Sequence, residues 1–225
     1  MSCACDYSIL LRLVHIHLGK AAGTSLRTTL SNALGPDSCC KPFRQMRLTA
    51  EDARYYDSFQ VISGHLSRAD QLKWFGDRRV ITVMREPIDR ALSYVHFVRS
   101  QPEEAKKIST DSRRATATML EVIEKSHQNL HNTMVRQLGG HTLDEQVDFQ
   151  VLLENAKRTL REALWVGRQD AMPDGLRRLA ALLGRDLEMV RVNVTPSRPR
   201  IEDEDPRIVD QLIALNAGAA TLQTP

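Results

Sequence analysis

The 225-residue sequence predicts a three-layer α/β fold, with a central, mainly parallel sheet flanked by helices. Short apolar runs alternate with stretches of helical periodicity, and one of those runs is apolar throughout, as in a strand covered on both faces. The turns between them carry recognisable helix starts and stops. The whole of 1–225 reads as one domain, with a helical insertion over about 100–140.

Tyr7 to His17 is rich in large and β-branched apolar residues and is the first strand. A helix follows, with Leu26, Leu30, Ala33 and Leu34 on one face, Thr24 and Ser25 as capping candidates and Gly35-Pro36 as its stop. Phe59 to Ser63 and Arg79 to Met84 are the next two strands. Pro87 suits the first turn of a helix that runs to about Arg99 with Ile88, Ala91, Leu92, Val95 and Val98 inward. Helical periodicity returns at Ser112 to Lys125, His127 to Leu138 and Leu143 to Ala163. Ala163 to Gly167 is a fourth strand, followed by a helix over Ala171 to Leu183. Val190 to Val194 is a last extended segment, and a terminal helix starts near Pro206.

With 42% hydrophobic and 26% charged residues, the composition excludes low-complexity and collagen-like classes. The formal net charge of +3 is too small for a broad nucleic-acid-coating surface, so no nucleic-acid partner is expected. The excess is local: residues 1–100 hold 14 Lys and Arg against 9 acids, and residues 101–225 hold 17 against 19. No run reaches the ~18 apolar residues that span a bilayer, and the first residues lack a secretory pattern, so a cytoplasmic protein is expected. Cys3, Cys5, Cys39 and Cys40 are too few for a disulfide framework. A zinc site built from them is disfavoured, because structural zinc ligands usually follow Cys-x2-4-Cys spacing, and no metal is assigned.

In open parallel sheets, ligands sit beyond the carboxyl ends of the strands. After strand one, Gly19-Lys-Ala-Ala-Gly-Thr-Ser25 is a small-residue loop running into a helix N-terminus, where N–H groups and the dipole favour an anion. Lys20 adds a charge, Thr24 and Ser25 add hydroxyls, and Ala21, Ala22 and Gly23 let the backbone approach. This is not a Walker A loop, whose lysine follows its second glycine. Strand three ends in Arg85 where a triphosphatase would want an acid, which implies a second anion held directly by protein. Arg85 also has a plainer reading as an ion-pair partner of Asp89 or Glu86. Ser93 follows on the same helix.

These residues carry a resemblance. His15 to Ser25 is similar to the phosphosulfate loop of sulfotransferases that use 3'-phosphoadenosine 5'-phosphosulfate (PAPS), and Arg85 to Tyr94 looks like their 3'-phosphate motif. Ser63-Gly-His65, Asn132 to Gly139, Trp165-Val-Gly167 and Asn193-Val-Thr195 fall in the family's order. The nearest branch is that of the heparan sulfate 2-O-sulfotransferases and their small bacterial relatives. Gly19 departs from the family's usual Pro, and Ala21 from a frequent Thr.

The resemblance implies a P-loop-like sandwich and in-line transfer of a sulfuryl group to a carbohydrate or small-metabolite hydroxyl, releasing adenosine 3',5'-bisphosphate. Lys20 and residues Ala21, Ala22, Gly23, Thr24 and Ser25 would hold the 5'-phosphosulfate, Arg85 and Ser93 the 3'-phosphate, and Arg198 would close over the nucleotide. His65 is the candidate base and Lys20 the candidate stabiliser of the leaving oxygen. His127 and His131 are alternative acceptor-side groups or plain exposed helix residues. His15 and His17 are expected to pack or support, and Trp74 and Trp165 to belong to the core. A divergent P-loop kinase and a nucleotide-binding protein without turnover are the competing readings.

Overall fold

The computed structural model describes residues 11–41, 48–101, 103, 117–140, 147–192 and 199–222. In chain order it places β1 (Leu13–Ile16), α1 (Gly23–Leu34), α2 (Ala50–Asp57), β2 (Val61–Gly64), α3 (Arg68–Phe75), β3 (Arg79–Met84) and α4 (Pro87–Arg99). There follow α5 (Met119–Lys125), α6 (His127–Leu130), α7 (Thr133–Gly139), α8 (Phe149–Glu162), β4 (Trp165–Arg168), α9 (Met172–Leu183) and α10 (Pro206–Asn216).

The four strands form one parallel sheet in the order β2-β1-β3-β4, with His15 opposite both Ser63 and Ile81. The period-2 alternation of the strands sends Val14, Ile16, Ile62, Val80 and Met84 to one face, against Phe75 of α3, Met134 and Leu138 of α7 and Leu152 and Leu160 of α8. Leu13, Val61, Ile81, Val83 and Trp165 go to the other, against Leu26 and Leu30 of α1 and Leu176 and Leu179 of α9. The sheet is thus the middle of three layers, as its apolar strands predict. A satellite core joins Leu92 and Val95 of α4 to Val122, Leu130 and Leu212 from α5, α6 and α10.

The chain leaves β1 toward β2 on one side, then crosses to β3 on the other. The crevice beyond the carboxyl ends of β1 and β3 is therefore the topological switch point, where such sheets bind ligands.

Several local expectations change. Helices α2 and α3 occupy stretches to which the sequence pattern assigns no element, each opened by a capping box: the Thr49 hydroxyl accepts from Asp52 N–H and the Ser67 hydroxyl from Asp70 N–H. Thr24 and Ser25 do not cap α1; the N-cap is Ala22, without a side-chain bond, and both residues lie inside the first turn. The helical run from His127 to Leu138 breaks at Asn132, which is left-handed (φ 46°) and whose Oδ1 accepts from Ala219 N–H at 2.9 Å. Residues 190–192 join no strand but are tied to α1, where the Thr29 hydroxyl accepts from Val190 N–H at 3.0 Å. Residues 193 and 194 of that segment lie outside the described residues, as do Tyr7 to Leu10 of the expected first strand.

Candidate functional site

The loop after β1 is held in an unusual backbone conformation. Lys20 (φ 66°) and Ala22 (φ 63°) are both left-handed, a region that side-chain-bearing residues rarely enter and that clusters at ligand sites. The ladder of α1 begins with Leu26 N–H donating to the Ala22 carbonyl, so the N–H groups of Gly23, Thr24 and Ser25 have no partner within the helix. No acid lies in that first turn. Ala21 is buried in the core, and the Lys20 ammonium lies 4.1 Å from the centroid of the Phe97 ring on α4.

The Ser25 hydroxyl accepts from Val192 N–H at 3.1 Å and contacts the Val192 carbonyl at 3.4 Å. It therefore fastens to α1 the segment that leads toward Arg198, a residue outside the described ones.

Arg85 leaves β3 toward the same loop. Its Nη1 donates to the Lys20 carbonyl at 2.9 Å and its Nε pairs with Asp89 at 2.6 Å. Arg85 is thus an ion-pair partner of Asp89, its plainer reading, and it also touches the loop after β1. These contacts engage two of its five N–H donors. The N-terminus of α4 is closed by Glu86, whose carboxylate accepts from Ile88 and Asp89 N–H, so the free helix end of the site is that of α1. Ser93, on α4, is buried. Arg90 turns into the satellite core, donates to the Asn129 carbonyl at 3.1 Å, and has its pKa lowered to about 10 by burial.

Three imidazoles stand in a column on the α1 side of the sheet. His15 and His17 alternate along β1, so they share a face, and His65 follows β2 in register with them. The ring centroids of His15 and His17 are 5.3 Å apart, those of His17 and His65 4.5 Å, both stacked. His15 contacts the Ser63 hydroxyl at 2.9 Å and has its pKa held well below the ordinary value by burial first, then by His17, His65 and Arg27.

His65 Nδ1 lies 2.9 Å from the His17 carbonyl, which can only accept, so Nδ1 carries the proton and the lone pair of the neutral ring is on Nε2. A methyl placed on Gly19 would rest 3.7 Å from His65 Cε1, which puts the base candidate against the residue preceding Lys20. The structure thus brings Lys20, Arg85 and His65 together at the ends of three adjacent strands.

Beyond β3 and β4 opens a cleft of about 430 Å³, bounded by Arg85, Pro87, Met134, Arg168, Asp170 and Leu222. His127 and His131 stack on each other at 4.7 Å, with Arg136 donating to His131 at 3.1 Å; burial lowers the His131 pKa. Trp165 is buried and donates to the Gly175 carbonyl at 2.9 Å, and Trp74 packs at the core's edge. Among the described residues no group of three or more His, Cys, Asp or Glu is placed to hold a metal ion, and no helix is long and apolar enough to cross a membrane.

Gln137 of α7, which no sequence motif marks, also reaches the site. Its Nε2 donates to the His17 carbonyl at 3.1 Å and to the Leu66 carbonyl at 3.0 Å, tying the exits of β1 and β2 together. Those contacts span 120 and 71 residues, and no local pattern announces them.

No protein-family model matches the chain, and no curated protein matches it in sequence. Among solved structures, mouse sulfotransferase SULT7A1 complexed with PAP is similar at a TM-score of 0.46 and 16% identity, over 79% of this chain and 59% of that one. The chain spans less than two thirds of that protein's length. At that distance the likeness assigns no activity, ligand or residue role.

Proposed function

We propose that the chain is a sulfotransferase that moves the sulfuryl group of PAPS to an acceptor hydroxyl. The observation that carries this reading is the convergence of two cations and one imidazole on the switch point: Arg85 bonded to the Lys20 carbonyl, and His65 seated against Gly19. Unpaired helical N–H groups, a lysine and no acid in the first turn of α1 fit an anionic phosphosulfate. When bound, the donor supplies a sulfuryl group on a good leaving phosphate.

Lys20 and the N–H groups of Gly23, Thr24 and Ser25 hold that phosphosulfate and stabilise negative charge on the leaving oxygen, whereas Ala21 N–H, expected among these donors, is taken by the Leu18 carbonyl at 3.3 Å. Arg85, together with the buried Ser93 of α4, takes the 3'-phosphate with its remaining donors. His65 Nε2 accepts the proton of the acceptor hydroxyl, its orientation fixed from Nδ1 by the His17 carbonyl. Arg198, outside the described residues, is assigned to close over the nucleotide on the sequence resemblance alone. Both anion partners are protein cations, so the reading requires no metal bridge. Ser63-Gly-His65 and the Arg85 to Tyr94 motif favour the heparan sulfate 2-O-sulfotransferase branch.

Thermal unfolding with adenosine 3',5'-bisphosphate tests it. At 100 times Kd the nucleotide stabilises by about 2.7 kcal/mol, raising Tm by about 5–10 °C in a chain of this size. The rise is expected in the presence of a chelator and absent in Lys20→Ala. Stabilisation by ATP that requires magnesium, with none by the bisphosphate, would favour the kinase reading. Binding of PAPS without any turnover would favour a non-catalytic nucleotide binder.

A further inference from the structure

We propose that His17 is a positioning residue that sets the base on the donor loop. This rests on the reading of His65 as the base and of residues 20–25 as the donor site. His17 is buried at the exit of β1 and touches both halves of that site.

Its ring lies flat against the first residue of α1. A methyl on Gly23 would fall 2.0 Å from His17 Cδ2 and 2.4 Å from Nε2, far inside contact distance. The same ring stacks on His65 at 4.5 Å with 24° between the planes. Its carbonyl receives His65 Nδ1–H at 2.9 Å and the Gln137 amide at 3.1 Å, and its N–H donates to the Gly64 carbonyl at 3.0 Å. The imidazole is therefore a spacer of fixed thickness between the helix end that holds the donor and the ring that takes the proton. The carbonyl of the same residue fixes which nitrogen of that ring is basic.

Gly23 gains a second meaning from this contact. A glycine in an anion loop is ordinarily explained by close approach of backbone to ligand. Here the absent side chain makes room for His17, and the two explanations predict opposite outcomes for a double substitution.

The experiment compares Gly23→Ala, His17→Ala, the double variant and His17→Phe. Calorimetry reads the affinity for adenosine 3',5'-bisphosphate, and hydrolysis of PAPS to that bisphosphate and sulfate, with water as acceptor, reads turnover. Gly23→Ala weakens nucleotide binding by about tenfold or more, because the new methyl displaces the loop. His17→Ala leaves affinity within about twofold and slows hydrolysis by about 10- to 100-fold, the cost of a misplaced base. The double variant recovers nucleotide affinity to within about twofold of wild type while its turnover stays at the His17→Ala level. His17→Phe, which keeps a flat ring over Gly23 and against His65, restores most of the turnover.

A double variant that binds as poorly as Gly23→Ala overturns the proposal, since Gly23 would then serve the anion directly. So does an equal loss of affinity and turnover in His17→Ala that His17→Phe does not repair. If the wild-type chain neither binds the bisphosphate nor hydrolyses PAPS, the functional reading fails separately. The packing then shows in thermal unfolding, where Gly23→Ala lowers Tm and added His17→Ala restores it, and failure to restore it overturns the contact.

Discussion

Replacing Arg85 with Ala separates its two jobs when two ligands are compared. The guanidinium donates to the Lys20 carbonyl and pairs with Asp89, and the proposed function gives it the 3'-phosphate as well. Removing it loosens the loop, which weakens every nucleotide that uses the 5'-site, and also removes the 3'-contact, which weakens only nucleotides carrying that group. Adenosine 5'-monophosphate lacks the 3'-phosphate, so the difference between its loss and that of adenosine 3',5'-bisphosphate isolates the second contribution.

A hydrogen bond to a charged group is worth about 1.5–3 kcal/mol, so the bisphosphate should lose about 10- to 150-fold more affinity than the monophosphate. The Arg85 side chain is only 12% exposed, which favours the upper half of that range. Isothermal calorimetry of wild type and variant with both ligands gives the four affinities. Equal losses would refute the assignment and leave Arg85 as a strut of the loop alone.

Lys20→Ala should behave differently, weakening both nucleotides by the same factor of about 10–150, because its charge serves the 5'-end that they share. Stability should carry a signature of His15, whose pKa is lowered in the fold by burial and by His17, His65 and Arg27. The unfolded chain binds a proton there as pH falls below about 6.5 while the folded chain does not, so this stability is complete above that pH and is lost on acidification. His15→Phe should lessen the decline between pH 7.5 and 5.5 by about 1 kcal/mol in urea unfolding. In the core, a methyl on Gly167 would lie 2.2 Å from Trp165 Cη2, so Gly167→Ala should cost about 1–3 kcal/mol and lower Tm by about 2–12 °C, read by calorimetry without ligand.

Where the signal was local, the sequence was sufficient. Strand β3 and helix α4 occupy the expected residues because an uninterrupted apolar run and a proline at the first helical position are both short-range features. The loop of small residues after β1 runs into a helix at the expected place for the same reason. The capping boxes that open α2 and α3 are equally local, but Thr-x-x-Asp and Ser-x-x-Asp are weak helix signals where the apolar periodicity beside them is weak.

What no local pattern carries is the long-range part of the site. Alternation puts His15 and His17 on one face, yet the stack with His65 depends on the parallel register of two strands 48 residues apart. Gln137 and Val192 reach the site from still farther along the chain. Gly23 looked like a residue spared a side chain for the sake of an anion, whereas its nearest neighbour is an imidazole.

A crystal structure with adenosine 3',5'-bisphosphate bound shows which residues meet each phosphate. The 5'-phosphate is expected on the N–H groups of Gly23 to Ser25 and the Lys20 ammonium, the 3'-phosphate within hydrogen-bond distance of Arg85, and His65 Nε2 facing the open side of the 5'-phosphate. A nucleotide lodged elsewhere, or one whose 3'-phosphate stays clear of Arg85 while that residue keeps Asp89 and the Lys20 carbonyl as its partners, would contradict that assignment.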